Sequence, residues 1–331
     1  KPPATVALQQ VTQLSFTIDK LSSLNLSSVN QTCSPVSSVN FNLQGAKLIG
    51  TPNVLKYNQN GTTNGSGILN LTNLEWDSYA LILNDANYDL IGMNPISPIN
   101  LVPNSSQSVQ LVVSTKNPKT LLVTVTDSAT SLPLSGVDVG ISKSGFTSAT
   151  STTGQGFINQ TDWSGGGGQA TSTDVTKYFS SDGNIETQSP VGDVKLKKVF
   201  SDYVSSGSLI SSSFNVGSPS NFQKIQWTPV DEPPSTGNPN VRLQIATNND
   251  GGAWNFLGPD GTSNTYYTVG NQNINSINNG NQYLRYKLFL DTATTTATPN
   301  ISDISFTFTS LCTPPGQVLW SGLPTGTYNL H

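Results

Sequence analysis

The chain has 331 residues, a formal net charge of −4 and only 10% charged side chains, so it exceeds one usual domain and lacks the basic stripe of a nucleic-acid binder. Glutamate occurs three times, as Glu75, Glu186 and Glu232; helix surfaces are built from Glu, Lys, Ala and Arg, whereas this Ser-, Thr-, Asn- and Gly-rich composition builds sheets, so the chain is all-β. No apolar run of about 18 residues is present to span a bilayer as a helix.

From the N-terminus, residues 11–18 (VTQLSFTI) and 36–46 (VSSVNFNLQGA) alternate apolar and polar, the period of a half-buried strand, with Val39, Phe41 and Leu43 on one face. The turn cluster NGTTNGSG leads into SGILNLTNLEWDSYALIL (66–83) and then SVQLVVS (108–114). Strands at this spacing predict an antiparallel sandwich over residues 1–115. A second series opens at Thr120, TLLVTVTDSATSLPLSGVDVGISKSGFTSATSTTGQGFINQ, and the chain ends GQVLWSGLPTGTYNLH, a second statement of the 66–83 phrase. Between them lie seven further strand-like runs, from GNIETQSPVGDVKLKKV to ISDISFTFTS, far too many residues for a loop inside a compact domain. In TDWSGGGGQ, Trp163 precedes four glycines, which predicts a mobile connector.

The V-x-V-T-D strand, the PLSGVDV strand, the TTGQGF turn and the closing GLPTGTYNL strand resemble the carboxypeptidase regulatory-like and Cna-B-like domains, small transthyretin-type sandwiches. The intervening G-x-L-x-S-x-x-F, W-T-P and closing I-x-D-I strands are similar to jelly-roll modules of the discoidin or laminin-G type. The resemblance implies two Cna-B-like sandwiches in tandem, residues 1–115 and residues 116–169 with 312–331. The second is split by a jelly roll at 170–311, since an exposed loop with close-lying ends tolerates insertion.

The chain begins at Lys1 with no signal peptide or initiator Met, and is read as a processed or trimmed piece of a longer protein. Its two cysteines, Cys33 and Cys312, belong to no metal-binding spacing, which leaves a disulfide or two buried thiols. The composition resembles secreted and surface proteins, and that compartment favours the disulfide.

Catalytic chemistry finds little to work with. His331 is the only histidine and the last residue, so Ser-His and Cys-His nucleophiles lack a positioned base. VTVTDSAT and LFLDTATT place alanine where aspartic proteases need glycine, and their aspartates read as turn residues. Recognition is better served. The stretch NNDGGAWNFLGPDGTSNTYY concentrates carboxylates, amides and aromatics in two turns, so Asn249, Asp250, Trp254, Asp260 and Tyr266 are the candidate ligand-binding residues. A sugar's hydroxyls and apolar face need those residue types. The resembled jelly rolls imply a structural Ca2+, for which Asn249, Asp250 and Asp260 are the candidate ligands.

The reading is a non-enzymatic, extracellular bacterial surface protein, an adhesin or pilus-associated subunit. Its partners are glycans or neighbouring pilus subunits, and no cofactor is required apart from the calcium just named. The alternative is a carbohydrate-binding accessory region of a secreted glycan-active enzyme.

Overall fold

The computed structural model describes residues 5–13, 15, 17–229 and 232–331. Those residues form strands joined by turns, with two single-turn 3-10 helices, Pro234–Thr236 and Ser276–Asn278. No helix among them is long and apolar enough to cross a membrane. They divide into two compact units. The first comprises Lys1–Ser28, Ser37–Ala86 and Pro95–Gln110; the second comprises Val29–Val36, Asn87–Asn94 and Leu111–His331.

In the first unit, β1 (Ser22–Val29) and β2 (Asn40–Gly45) obey the alternation, burying Leu24 and Leu26, and Phe41 and Leu43. They are followed by β3 (Asn58–Thr62), β4 (Ile68–Leu74), β5 (Asp77–Leu83) and β6 (Ile99–Leu101). β1 pairs with β4, β2 lies between β3 and β5, and β5 pairs with β6. The expected strand at 11–18 does not form among its described residues: Val11 is 96% exposed and the first strand starts at Ser22. Alternation supplies a face but not a neighbouring strand to bond; Leu14 and Phe16 of that run lie outside the described residues.

The second unit holds β7 (Leu121–Thr124), β8 (Asp138–Lys143), β9 (Phe146–Thr152), β10 (Gly156–Gln160), β11 (Tyr178–Ser181), β12 (Ser206–Ser211), β13 (Phe214–Thr228), β14 (Val241–Asn248), β15 (Asn281–Asp291), β16 (Asp303–Thr309), β17 (Gln317–Trp320) and β18 (Asn329–Leu330). β7 pairs with β17, and β8 lies between β9 and β18. The repeated sequence phrase enters the same pairings twice, β4 and β5 with β1 and β2 as β17 and β18 with β7 and β8, although β5 also pairs with β6 while β18 lies at a sheet edge.

Between β9 and β17 the chain builds a larger set of strands in the order β10-β16-β13-β15-β12-β11, with β14 also on β15. The fifteen-residue β13 serves both halves, since Phe214–Ser220 pair with β15 and Asn221–Thr228 pair with β16. Their inward side chains form one core that includes Ile225, Trp227, Leu243, Tyr286, Leu288 and Phe306, with Tyr286 stacked on Phe306 at 5.8 Å between centroids.

Trp163 belongs to that core. It is 0% exposed, and its indole N–H donates to the Tyr286 hydroxyl at 2.9 Å. That hydroxyl donates in turn to Gln160 Oε1 at 2.6 Å, and the Gln160 amide donates to the carbonyls of Asp162, Val175 and Lys177. Each buried polar group thus finds a partner, the condition for burying it at all. The four glycines are a built coil rather than a mobile connector. Gly166 and Gly168 hold φ of 77° and 101°, a Cβ on Gly165 would collide with Thr176 Oγ1, and the Gly165 and Gly168 amides donate to Thr176 and Phe179 carbonyls. Glycine is used here for its conformation and its lack of bulk.

Cys33 and Cys312 form a disulfide, with Cα atoms 5.3 Å apart across 279 positions of sequence. Cys33 has φ of 60°, in a loop tied by Asn30, whose Oδ1 accepts from the Thr32 and Ser34 amides. In the chain-entropy description, closing so long a loop stabilises by about 5 kcal/mol.

Replacing Trp163 by alanine removes a buried indole and the donor to the Tyr286 hydroxyl. We expect a loss of about 3–5 kcal/mol in urea-induced unfolding of the full chain; a loss below about 1 kcal/mol would show that this corner does not organise the core.

Candidate functional site

The candidate residues sit on the turns that follow β14 and beside the outward face of β15. Strand alternation sends Leu284, Tyr286, Leu288 and Leu290 inward, which leaves Tyr283, Arg285, Lys287 and Phe289 to the other face.

Asn249 closes the start of β15: its Oδ1 accepts the Gln282 amide at 2.9 Å, and its amide donates to the Gly280 carbonyl at 3.0 Å. Asp250 is exposed and accepts the Gly252 amide at 2.8 Å. Asp260 Oδ1 accepts from the Thr265 hydroxyl and from the amide and hydroxyl of Thr262. Those donors, the Thr265 hydroxyl foremost, hold its carboxyl below the usual range. Much of the acceptor capacity that the sequence offers to a sugar or a cation is therefore committed to turns. Among the described residues no group of three or more His, Cys, Asp or Glu side chains is placed to hold a metal ion.

Trp254 is half-buried, with the Arg285 guanidinium 4.7 Å from its ring centroid; the same guanidinium lies 4.2 Å from Phe179. Arg285 is 5% exposed. It donates to the Ala170 carbonyl at 2.6 Å, and burial lowers its pKa from the ordinary arginine value. Two aromatic faces thus take the place of a carboxylate around this cation. Tyr266 makes a parallel arrangement, with Arg242 4.6 Å from its ring and an edge contact to Phe289 at 5.3 Å. Arg242 is held by Asp291, Nη2 to Oδ2 2.7 Å, so the LFLDTATT aspartate is an ion-pair partner. Asp127, the other one, accepts from Thr130 and Ala129 in a turn.

Trp254 and Tyr266 therefore stand over the same sheet face but not side by side. Their anchors, Arg285 and Phe289, are four residues apart on β15, about 13 Å at the usual strand rise. Asn249, Asp250 and Trp254 gather at one end of this row, and Tyr266 at the other. The cations Arg285 and Arg242, and Phe179 beneath the first, were not anticipated. The signal lies in QYLRYKLFL, where a single alternation places arginine, lysine and phenylalanine on one outward face.

Two half-buried acids with raised pKa values lie elsewhere. Burial pushes Glu232 up to about 7, opposed by the Asn300 amide that donates to its Oε2, while its Oε1 is buried without a partner. Asp303 is raised for the same reason.

No family model matches the chain, and no curated relative matches it. Among solved structures it is similar to a streptococcal ancillary pilin, at 18% identity over 41% of this chain and 48% of that one, with a TM-score of 0.23. It is also similar to the major pilin SpaD of Corynebacterium diphtheriae, at 10% identity over 91% and 58%, with a TM-score of 0.21. The Bacillus cereus major pilin BcpA follows at 7% identity over 93% and 61%, with a TM-score of 0.22. The chain spans less than two thirds of each of these solved chains, and at such scores nothing about its role follows from them.

Glu232 gives a pH test. Its folded-state value lies above the 4.5 of an ordinary glutamate, so the folded chain binds the proton more tightly than the unfolded chain. Its contribution is complete below about 4.5 and is lost as pH rises through about 7. Glu232→Gln should flatten that part of the stability profile in urea titrations between pH 4 and 8, and an unchanged profile would remove Glu232 as its source.

Proposed function

We propose that this chain is a non-enzymatic subunit of a bacterial surface assembly, an adhesin or pilus-associated protein. Two small Cna-B-like sandwiches act as its stalk and a jelly-roll module set into the second as its display. The observation that carries the reading is the repeated pairing scheme, β1/β4 with β2/β5 and again β7/β17 with β8/β18. Tandem copies of one small sandwich make a stalk, whereas a catalytic domain has no use for the repetition. The disulfide supports an oxidising, extracellular setting.

The display module is proposed to bind a glycan, with Trp254 as an aromatic platform beside the loop holding Asn249 and Asp250, and with Asp260 and Tyr266 further along the same face. The half-exposed Trp254 ring also favours a second reading, a carbohydrate-binding accessory region of a secreted glycan-active enzyme. Immunogold labelling of intact cells separates the two. Gold on the cell wall or on fibres supports the surface assembly; antigen found only in the medium, joined to a glycan-cleaving activity, overturns it.

We propose that the module runs over residues 156–311 rather than from 170, a boundary supported by the pairing of β10 with β16. A piece spanning 156–311 should melt cooperatively, and one spanning 170–311, lacking β10 and Trp163, should melt at least about 10 °C lower or not cooperatively. Equal melting of the two pieces would return the boundary to 170.

A further inference from the structure

Beside the start of β15 lies a cleft of about 540 Å³, within the size range of small-ligand sites. Its walls come from β10, from the segment after the glycine coil, from the β12–β13 connection and from Tyr283. Phe157 stands at its rim, 53% exposed. Among the described residues lining it, none is charged. An aromatic rim on an otherwise solvated strand is not explained by the core, because Phe157 points away from it while Gly156 and Gln160 are buried.

The floor carries the second observation. Ser213 is buried at 4% exposure and lines the cleft, and its Oγ has no hydrogen-bond partner. A buried hydroxyl left unpaired is costly, and because Ser213 lines the cleft, a turn of its side chain about χ1 would bring the Oγ to a ligand hydroxyl there. Around it, Thr171, Asn159 and Asn215 present hydroxyl and amide groups at exposed positions. Asn215 is oriented by bonds from the Gly217 amide at 2.7 Å and the Gln282 amide at 3.0 Å.

We infer that this cleft is a binding site for a neutral oligosaccharide, with Phe157 and Tyr283 packing on sugar faces and Ser213, Asn159 and Asn215 bonding its hydroxyls. The absence of charge among the lining residues disfavours uronic or sialic acids, and the mixture of aromatic faces with amides and hydroxyls matches the two kinds of surface that a sugar ring offers. Thr32, beside the disulfide, forms one lip. A Cβ on Gly217 would collide with the Thr32 carbonyl, so the lip is seated against β13 through a glycine and fixed by Cys33. Tyr283 is two residues before Arg285 on the same face, so the cleft adjoins Trp254, and a chain of several sugars would reach both.

The ligand class rests on the glycan-binding reading above; the location does not. The test is calorimetric titration of the full chain with neutral hexasaccharides (cellohexaose, xylohexaose, mannohexaose, maltohexaose) and with hexagalacturonic acid as the anionic control. At least one neutral probe should bind with Kd below about 1 mM. Phe157→Ala and Ser213→Ala should each weaken it by about tenfold without lowering the melting temperature, and Tyr283→Phe should restore most of what Tyr283→Ala loses. Binding of a neutral probe that survives Phe157→Ala and Ser213→Ala but is lost in Trp254→Ala overturns the cleft and keeps the glycan reading. No binding by any neutral probe, or preference for the anionic one, overturns both the cleft and its ligand class.

Discussion

Gly156 lies opposite Phe308 and Gln160 opposite Ile304, so the chain enters and leaves the larger sandwich on neighbouring antiparallel strands. That register is the constraint from which the rest follows. Because the two feet are adjacent, strands before β10 can pair with strands after β16, β7 with β17 and β8 with β18. The register demands particular residues. A Cβ on Gly156 would approach the Phe308 ring to 2.5 Å, so the glycine of the TTGQGF turn is needed for close approach as much as for turning. Gln160, at the other end of the strand, ties β10 to Tyr286 and through it to Trp163.

The return of the chain after β16 is secured twice more. Cys312 packs with Val29, Ile91 and Val112, and five residues later the Gln317 side chain closes a two-way bridge to the backbone of Met93, accepting at 3.0 Å and donating at 2.8 Å. A covalent bond acts mainly on the unfolded ensemble, which it forbids from opening a long loop. The amide bridge and the apolar cluster act on the folded state, and they satisfy backbone groups that would otherwise be buried unpaired. The two kinds of stabilisation address different states and so add rather than duplicate.

How much of this is legible in the sequence follows from the range of each interaction. The Val39, Phe41 and Leu43 face is written in nearest-neighbour alternation, and the matching pairings of β4/β5 and β17/β18 are written in a repeated phrase. Residues 11–18 show the limit of the same signal: an alternating run predicts which side chains share a face but not whether a partner strand is present. Trp163 fails differently. Four glycines read as slack, yet the φ values of Gly166 and Gly168 and the crowding at Gly165 show a coil built on glycine, and what fixes the indole beside it, Tyr286, lies more than a hundred residues away. The candidate ligand-binding residues drawn from NNDGGAWNFLGPDGTSNTYY were chosen because they are neighbours in sequence. The cleft at Phe157, Ser213 and Tyr283 is assembled from two strands and the β12–β13 connection, far apart in sequence, and no local pattern announces it.

The two faces of β15 show where folding requirements end. Its inward row, Leu284, Tyr286, Leu288 and Leu290, is accounted for by the core. Its outward row is not: a solvent-facing strand is satisfied by threonine and serine, as β12 largely is with Ser206 and Ser208, yet this one carries Tyr283, Arg285, Lys287 and Phe289. Arg285 is clamped between Phe179 and Trp254, and Phe289 has Arg242 at 5.6 Å and Lys287 at 4.9 Å. Stacking of this kind is worth about 0.5–2 kcal/mol per contact, too little by itself to explain burying the Arg285 guanidinium with its Nε unpaired. What the arrangement does achieve is to hold Trp254 in one orientation with little side-chain freedom left to lose. Rigid aromatic surfaces bind with a smaller entropic cost than mobile ones, and on a strand whose other face already holds the core, that pre-ordering is what the proposed recognition by Trp254 would draw on.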